Sequence, residues 1–134
     1  MKIIYKYSPK NLTIISFRIL ICIGMLLTII RWVSVFNNNI LVFTKEINSH
    51  ISNLSLSMIL YLGIGYLWLL FGVKFSVIII LGTLLIIANI ICETLLGFIN
   101  TPDIVDAIYG IIGITIAFIF LFLTKKYGLI QNEY

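Results

Sequence analysis

Four long apolar stretches, at about residues 12–36, 53–73, 75–97 and 102–124, carry almost no charge and, with the short loops between them, use up nearly all of the 134-residue chain. A helix needs roughly 20 apolar residues to cross the hydrocarbon of a bilayer. Inside lipid every backbone N–H and C=O must find its partner within the segment, which a helix achieves. The expected fold is therefore all-α: one integral membrane domain spanning 1–134, an antiparallel up-down four-helix bundle with no room for a separate soluble domain. Composition agrees, since 61% of the residues are hydrophobic and only 10% charged, with a mean hydropathy of +1.16. A soluble domain would carry about 25% charged residues.

The remaining charges set the expected topology. Lys2, Lys6 and Lys10 precede the first span, as in a signal peptide, but no small-residue cleavage pattern follows, so the span reads as a retained anchor. Residues 37–52 make the longest loop, Lys74 alone separates the second and third spans, and a polar tail with Lys125, Lys126 and Glu133 closes the chain. Thr101 is the expected N-cap of the fourth span, with Pro102 at its first helical position. Four spans put both termini on one side. That side collects Lys2, Lys6, Lys10, Arg18, Lys74, Lys125 and Lys126, against Arg31 and Lys45 on the other. The positive-inside rule then places both termini in the cytoplasm. The net charge of +4 is thus accounted for by topology, and no nucleic-acid partner is expected.

All the acidic residues except Glu133 in the tail fall on the opposite, extracytoplasmic side. Glu93 ends the third span, and Asp103 and Asp106 open the fourth. An ionisable residue at a span is expensive and marks a functional-site candidate. At 1.5 Å per residue, Glu93 and Asp106 each lie about 6 Å inside the interface and Arg31 about 8 Å, so the three can share one layer. Pairing Arg31 with Glu93 or Asp106 would offset the burial of a carboxylate. His50, Asn53 and Asn89 can line the rim of the resulting pocket. Small residues let helices approach in lipid, and Gly82 and Gly97 on the third span and Gly110, Gly113 and Ala117 on the fourth form the expected packing seams. A lone His beside carboxylates is more often hydrogen-bonded than metal-bound, so no metal site is expected. Cys22 and Cys92 sit on different spans and read as inert. No Walker loop, dinucleotide fingerprint, zinc-helix pair or serine elbow is present, so neither a cofactor nor a catalytic residue is assigned.

The run Glu93-Thr-Leu-Leu-Gly-Phe-Ile-Asn-Thr-Pro-Asp103-Ile-Val-Asp106-Ala-Ile-Tyr-Gly110-Ile-Ile-Gly113 resembles the signature region of VanZ-like membrane proteins. In that family a Glu late in the third span precedes a short turn, an Asp-x-x-Asp pair opens the fourth span, and a Gly follows the second Asp by seven residues. Glu93, Asp103, Asp106 and Gly113 take those roles, and His50 looks like the His that the family often carries ahead of the second span. The chain departs from the pattern at Leu96, where the family has Gln, at Gly110, where it has Asn, and in a turn without the family's Arg. Arg31 is then the candidate substitute.

The resemblance implies a multi-pass protein of the bacterial cytoplasmic membrane with a role akin to glycopeptide resistance. The leading expectation is an outward-facing pocket, lined by Glu93, Asp103, Asp106, His50, Arg31 and Asn89, that binds a membrane lipid or envelope precursor. The alternative is a non-catalytic partner subunit of a membrane complex, or an immunity protein against a membrane-acting toxin.

Overall fold

The computed structural model describes residues 5–36, 43–94 and 103–132. In chain order they form β1 (Tyr7–Pro9), α1 (Asn11–Phe36), α2 (Lys45–Phe71), α3 (Phe75–Thr94), α4 (Ile104–Leu123), a π-helical turn (Thr124–Gly128) and β2 (Leu129–Gln131). All four α-helices are long and apolar enough to cross a membrane. Their outer faces carry exposed Leu12, Ile19, Leu26 and Ile29 on α1 and Ile80, Leu84 and Ile87 on α3. A water-soluble monomer does not present apolar surface on that scale.

α2 begins at Lys45, eight residues ahead of the expected start at Asn53. Thr44 caps it, its Oγ1 accepting from Ile47 N–H, and Glu46 sits in the first turn where the helix dipole favours an acid. The extra turns are polar and carry no apolar run, so hydropathy misses them. The bundle instead holds Asn48, which donates through Nδ2 to Ser34 Oγ at 2.5 Å, and Ser34 Oγ donates to the Arg31 carbonyl at 2.7 Å. The helix ends at Gly72, in the left-handed region at φ 78°, with Val73 N–H reaching back to the Trp68 carbonyl. This is a Schellman-type ending, which favours glycine.

α3 follows at once at Phe75, as the Lys74 link requires. α4 starts at Ile104, and its N-cap is Asp103, whose carboxylate accepts from Val105 N–H at 2.9 Å. This corrects the expected cap at Thr101, which lies with Pro102 outside the described residues. The Asp103 side chain meets an otherwise orphan N–H at the positive end of the helix dipole.

The core is built on α2 and α4. Met58, Tyr61, Leu62, Tyr66 and Leu69 pack against Ile114, Ala117 and Leu121, with Ile78 of α3 closing one side. Tyr61 donates its buried hydroxyl to the Ile78 carbonyl at 2.9 Å. Along α1 and α2 the paired residues run in opposite order: Phe17 stacks on Tyr66, Thr28 hydrogen-bonds Ser55, and Ser34 meets Asn48. α2 and α4 rise together, with His50 beside Asp106 and Gly65 beside Leu121. Gly113 lets α4 touch the α2 backbone at Leu54, where a β-carbon would collide with the Leu54 carbonyl. Gly82 receives the Tyr61 ring, Gly110 receives the Asn89 carboxamide, and Ala117 is fully buried. Gly97 lies outside the described residues.

The tail is structured where the sequence suggested a plain polar end. β2 pairs antiparallel with β1 in the register Tyr7 with Gln131, Ser8 with Ile130 and Pro9 with Leu129. Lys10 N–H donates to the Gly128 carbonyl at 2.8 Å, and Asn132 ties down the edge through Ser8 and the Lys6 and Tyr5 carbonyls. Three-residue strands are too short to register as a period-2 pattern.

Candidate functional site

Because α2 and α4 both begin at the end of the bundle remote from the β1–β2 ribbon, the early polar turns of α2 face the first turn of α4. His50 Nδ1 lies 2.8 Å from Asp106 Oδ1 and 3.7 Å from Asp103 Oδ2. Asp103 thus uses one carboxylate oxygen to cap α4 and turns the other toward the imidazole. The side chains of His50 and Asp106 are 15% and 19% exposed and that of Asp103 39%, so the group sits half-sunk with one open side. The Tyr109 ring, one turn beyond Asp106 on the same face, tilts against the imidazole with 5.5 Å between centroids.

Two carboxylates and one imidazole at a helix N-terminus can accept hydrogen bonds from ammonium or hydroxyl groups, and the imidazole can bridge both acids. The donor atoms lie within 4.8 Å of one another, close enough to hold a divalent cation through oxygen and imidazole nitrogen. A His–carboxylate contact of this length also orients the ring and fixes which nitrogen faces outward.

Other residues singled out from the sequence lie elsewhere. Glu93 is buried near the end of α3, 7% exposed, and is not part of the three-residue cluster. Asn89 sits a layer deeper, against Gly110, sharing hydrogen bonds of 3.3 Å with Ser57 and donating to the Leu85 carbonyl at 2.9 Å. It therefore ties α3 to α2 and α4 beneath the cluster. Asp106 takes His50 as its partner in place of Arg31. Arg31 lies half-buried on α1, and α1 meets α2 on the Asn48 side. Residues two apart on a helix point about 200° apart, so α1 lies away from the side that carries His50. Cys22 and Cys92 are free and exposed.

Sequence reasoning missed one contributor to the cluster, Tyr109, and one buried polar residue on the α1 side of α2, Asn48. Tyr109 follows Asp106 by three residues, a helical spacing that could have flagged it. Asn48, 3% exposed, has no comparable signal because the loop assignment hid its helical phase; its Oδ1 finds no hydrogen-bond partner among the described residues. Comparison of the chain with protein-family models, with curated proteins and with solved structures finds no match.

Proposed function

We propose that this chain is a multi-pass protein of VanZ-like type in the bacterial cytoplasmic membrane. Its four helices form an up-down bundle with both termini in the cytoplasm and the His50–Asp103–Asp106 cluster at the extracytoplasmic face. The cluster binds a polar headgroup of a membrane lipid or cell-envelope precursor. The observation that carries this reading is the His50–Asp106 contact at 2.8 Å with Asp103 alongside, three polar groups drawn together at one end of an otherwise apolar bundle. Polar groups at membrane depth are expensive and face a partner or a cavity. The lysine-rich ribbon end lies opposite, in keeping with the positive-inside rule.

The proposed role of the cluster is binding, and no catalytic step is assigned to it. The test is to express wild type, His50→Gln and Asp106→Asn in a glycopeptide-sensitive bacterium, measure susceptibility to teicoplanin, and identify copurifying lipids by mass spectrometry. Both variants should insert normally yet lose the phenotype and the associated lipid. Full activity in both would remove the pocket, and a stoichiometric protein retained by all three forms would point to a partner subunit or immunity protein.

A further inference from the structure

The ribbon end of the bundle holds a second site, unrelated to the acidic cluster. A cavity of about 290 Å³ opens between the first turns of α1 and the end of α4. Its lining is apolar at Leu12, Phe120 and Leu123 and polar at Lys10, Ser16 and Tyr127. Its shape depends on the π-helical turn. Widening the last turn of α4 lets the Gly128 carbonyl swing out to accept from both Lys10 N–H at 2.8 Å and Thr13 Oγ1 at 3.2 Å, pinning α4 to α1 at the back of the cavity. Gly128 has Thr13 packed where a β-carbon would project. Such π segments recur at functional positions.

Charge points to the occupant. Lys126 Nζ stands 5.0 Å from the centre of the Tyr127 ring, and Tyr127 and Lys10 both line the cavity. Lys6 and Lys125 both lie over the Tyr7 ring, at 5.8 and 5.0 Å. Four lysines therefore crowd one end of the molecule, and the described segments there, 5–36 and 107–132, contain no acidic residue; Glu133 follows in the sequence. An anion with an apolar tail satisfies both halves of this site.

We propose that the cavity binds one anionic diacyl phospholipid. Its phosphate lies between Lys10 and Lys126 and the hydroxyls of Ser16 and Tyr127, and an acyl chain runs along Leu12, Phe120 and Leu123. Basic pockets between membrane helices on the cytoplasmic side take anionic headgroups in this way. The proposal rests on the membrane reading of the chain but not on the His50 cluster.

The test is native mass spectrometry of detergent-solubilised protein titrated with phosphatidylglycerol or phosphatidylcholine. Wild type should retain one phosphatidylglycerol in preference to phosphatidylcholine. Lys10→Gln should weaken phosphatidylglycerol binding about fivefold, the factor for one lysine at an anionic headgroup. Ser16→Phe, which fills the cavity, should abolish retention of both lipids. Lys74→Gln, a lysine at the same end but outside the cavity, should bind as wild type does. Glycerol 3-phosphate should not compete, because it lacks the acyl chains. Equal losses in Lys74→Gln and Lys10→Gln would overturn the site in favour of diffuse attraction. Competition by glycerol 3-phosphate would replace the lipid with a free phosphate. Unchanged binding in a folded Lys10→Gln would refute the proposal outright, whatever happens to the acidic cluster.

Discussion

Two glycines that look alike in the sequence should respond to alanine with opposite signs. A β-carbon at Gly113 would meet Leu54 C at 3.0 Å and Met58 N at 3.1 Å, and would collide with the Leu54 carbonyl. All three atoms are backbone, so no rotamer change relieves the contact and α4 must move away from α2. Overpacking of this kind costs about 1–3 kcal/mol, and the rigid neighbours put it at the upper end. Alanine returns about 1 kcal/mol of helix propensity, which leaves a net loss of about 2 kcal/mol for Gly113→Ala. At Gly63 nothing lies within 4 Å of an added β-carbon. Gly63→Ala should therefore keep the propensity gain and stabilise by about 0.5–1 kcal/mol. Reversible unfolding in mixed micelles, followed by circular dichroism, measures both. The same α2–α4 approach sets the spacing of His50 and Asp106, so Gly113→Ala should also weaken whatever the cluster binds, while Gly63→Ala should not. Equal effects of the two substitutions on stability would refute the close approach of α2 and α4.

At the cluster, Asp103→Ala should lose the α4 cap as well as a neighbour of His50, and destabilise by about 1 kcal/mol, while Asp103→Asn keeps the cap and changes only the charge; unfolding of the two variants separates these roles. Thr44→Ala should cost about 1 kcal/mol and fray the first turn of α2, seen as faster amide exchange through Asn48; unchanged exchange would remove Thr44 as the cap. Tyr61→Phe deletes a buried hydrogen bond to Ile78 and should destabilise by about 1 kcal/mol, read from the same unfolding curves. Because the His50–Asp106 hydrogen bond satisfies these groups without an ion, removing divalent cations with EDTA should leave the melting temperature unchanged; a reproducible drop restored by one metal would make His50, Asp103 and Asp106 a cation site.

What could be read from the sequence follows from how far each signal reaches along the chain. Hydropathy averages over a window as long as a membrane span, so it finds α1, α3 and α4 nearly to the residue within the described range. It fails where polar residues are held by tertiary partners: Lys45 to Ser52 look like a loop until Ser34 and Asp106 are seen to receive Asn48 and His50. That omission carried over to the site. With His50 in a loop, its partner could not be chosen by geometry, and charge alone favoured Arg31 for Asp106. Once α2 is extended back to Lys45, helical phase decides the matter. Asn48 turns toward α1 and His50, two residues on, turns toward α4, so imidazole and carboxylate meet. The ribbon was hidden for a different reason, since its strands are three residues long and are held by pairing between the two ends of the chain. Both corrections act alike: they add polar structure to the ends of an apolar bundle, the His50–Asp103–Asp106 cluster at one and the β1–β2 ribbon at the other. On the proposed reading, substitutions along the apolar outer faces should alter function far less than single changes at His50, Asp106 or Lys10.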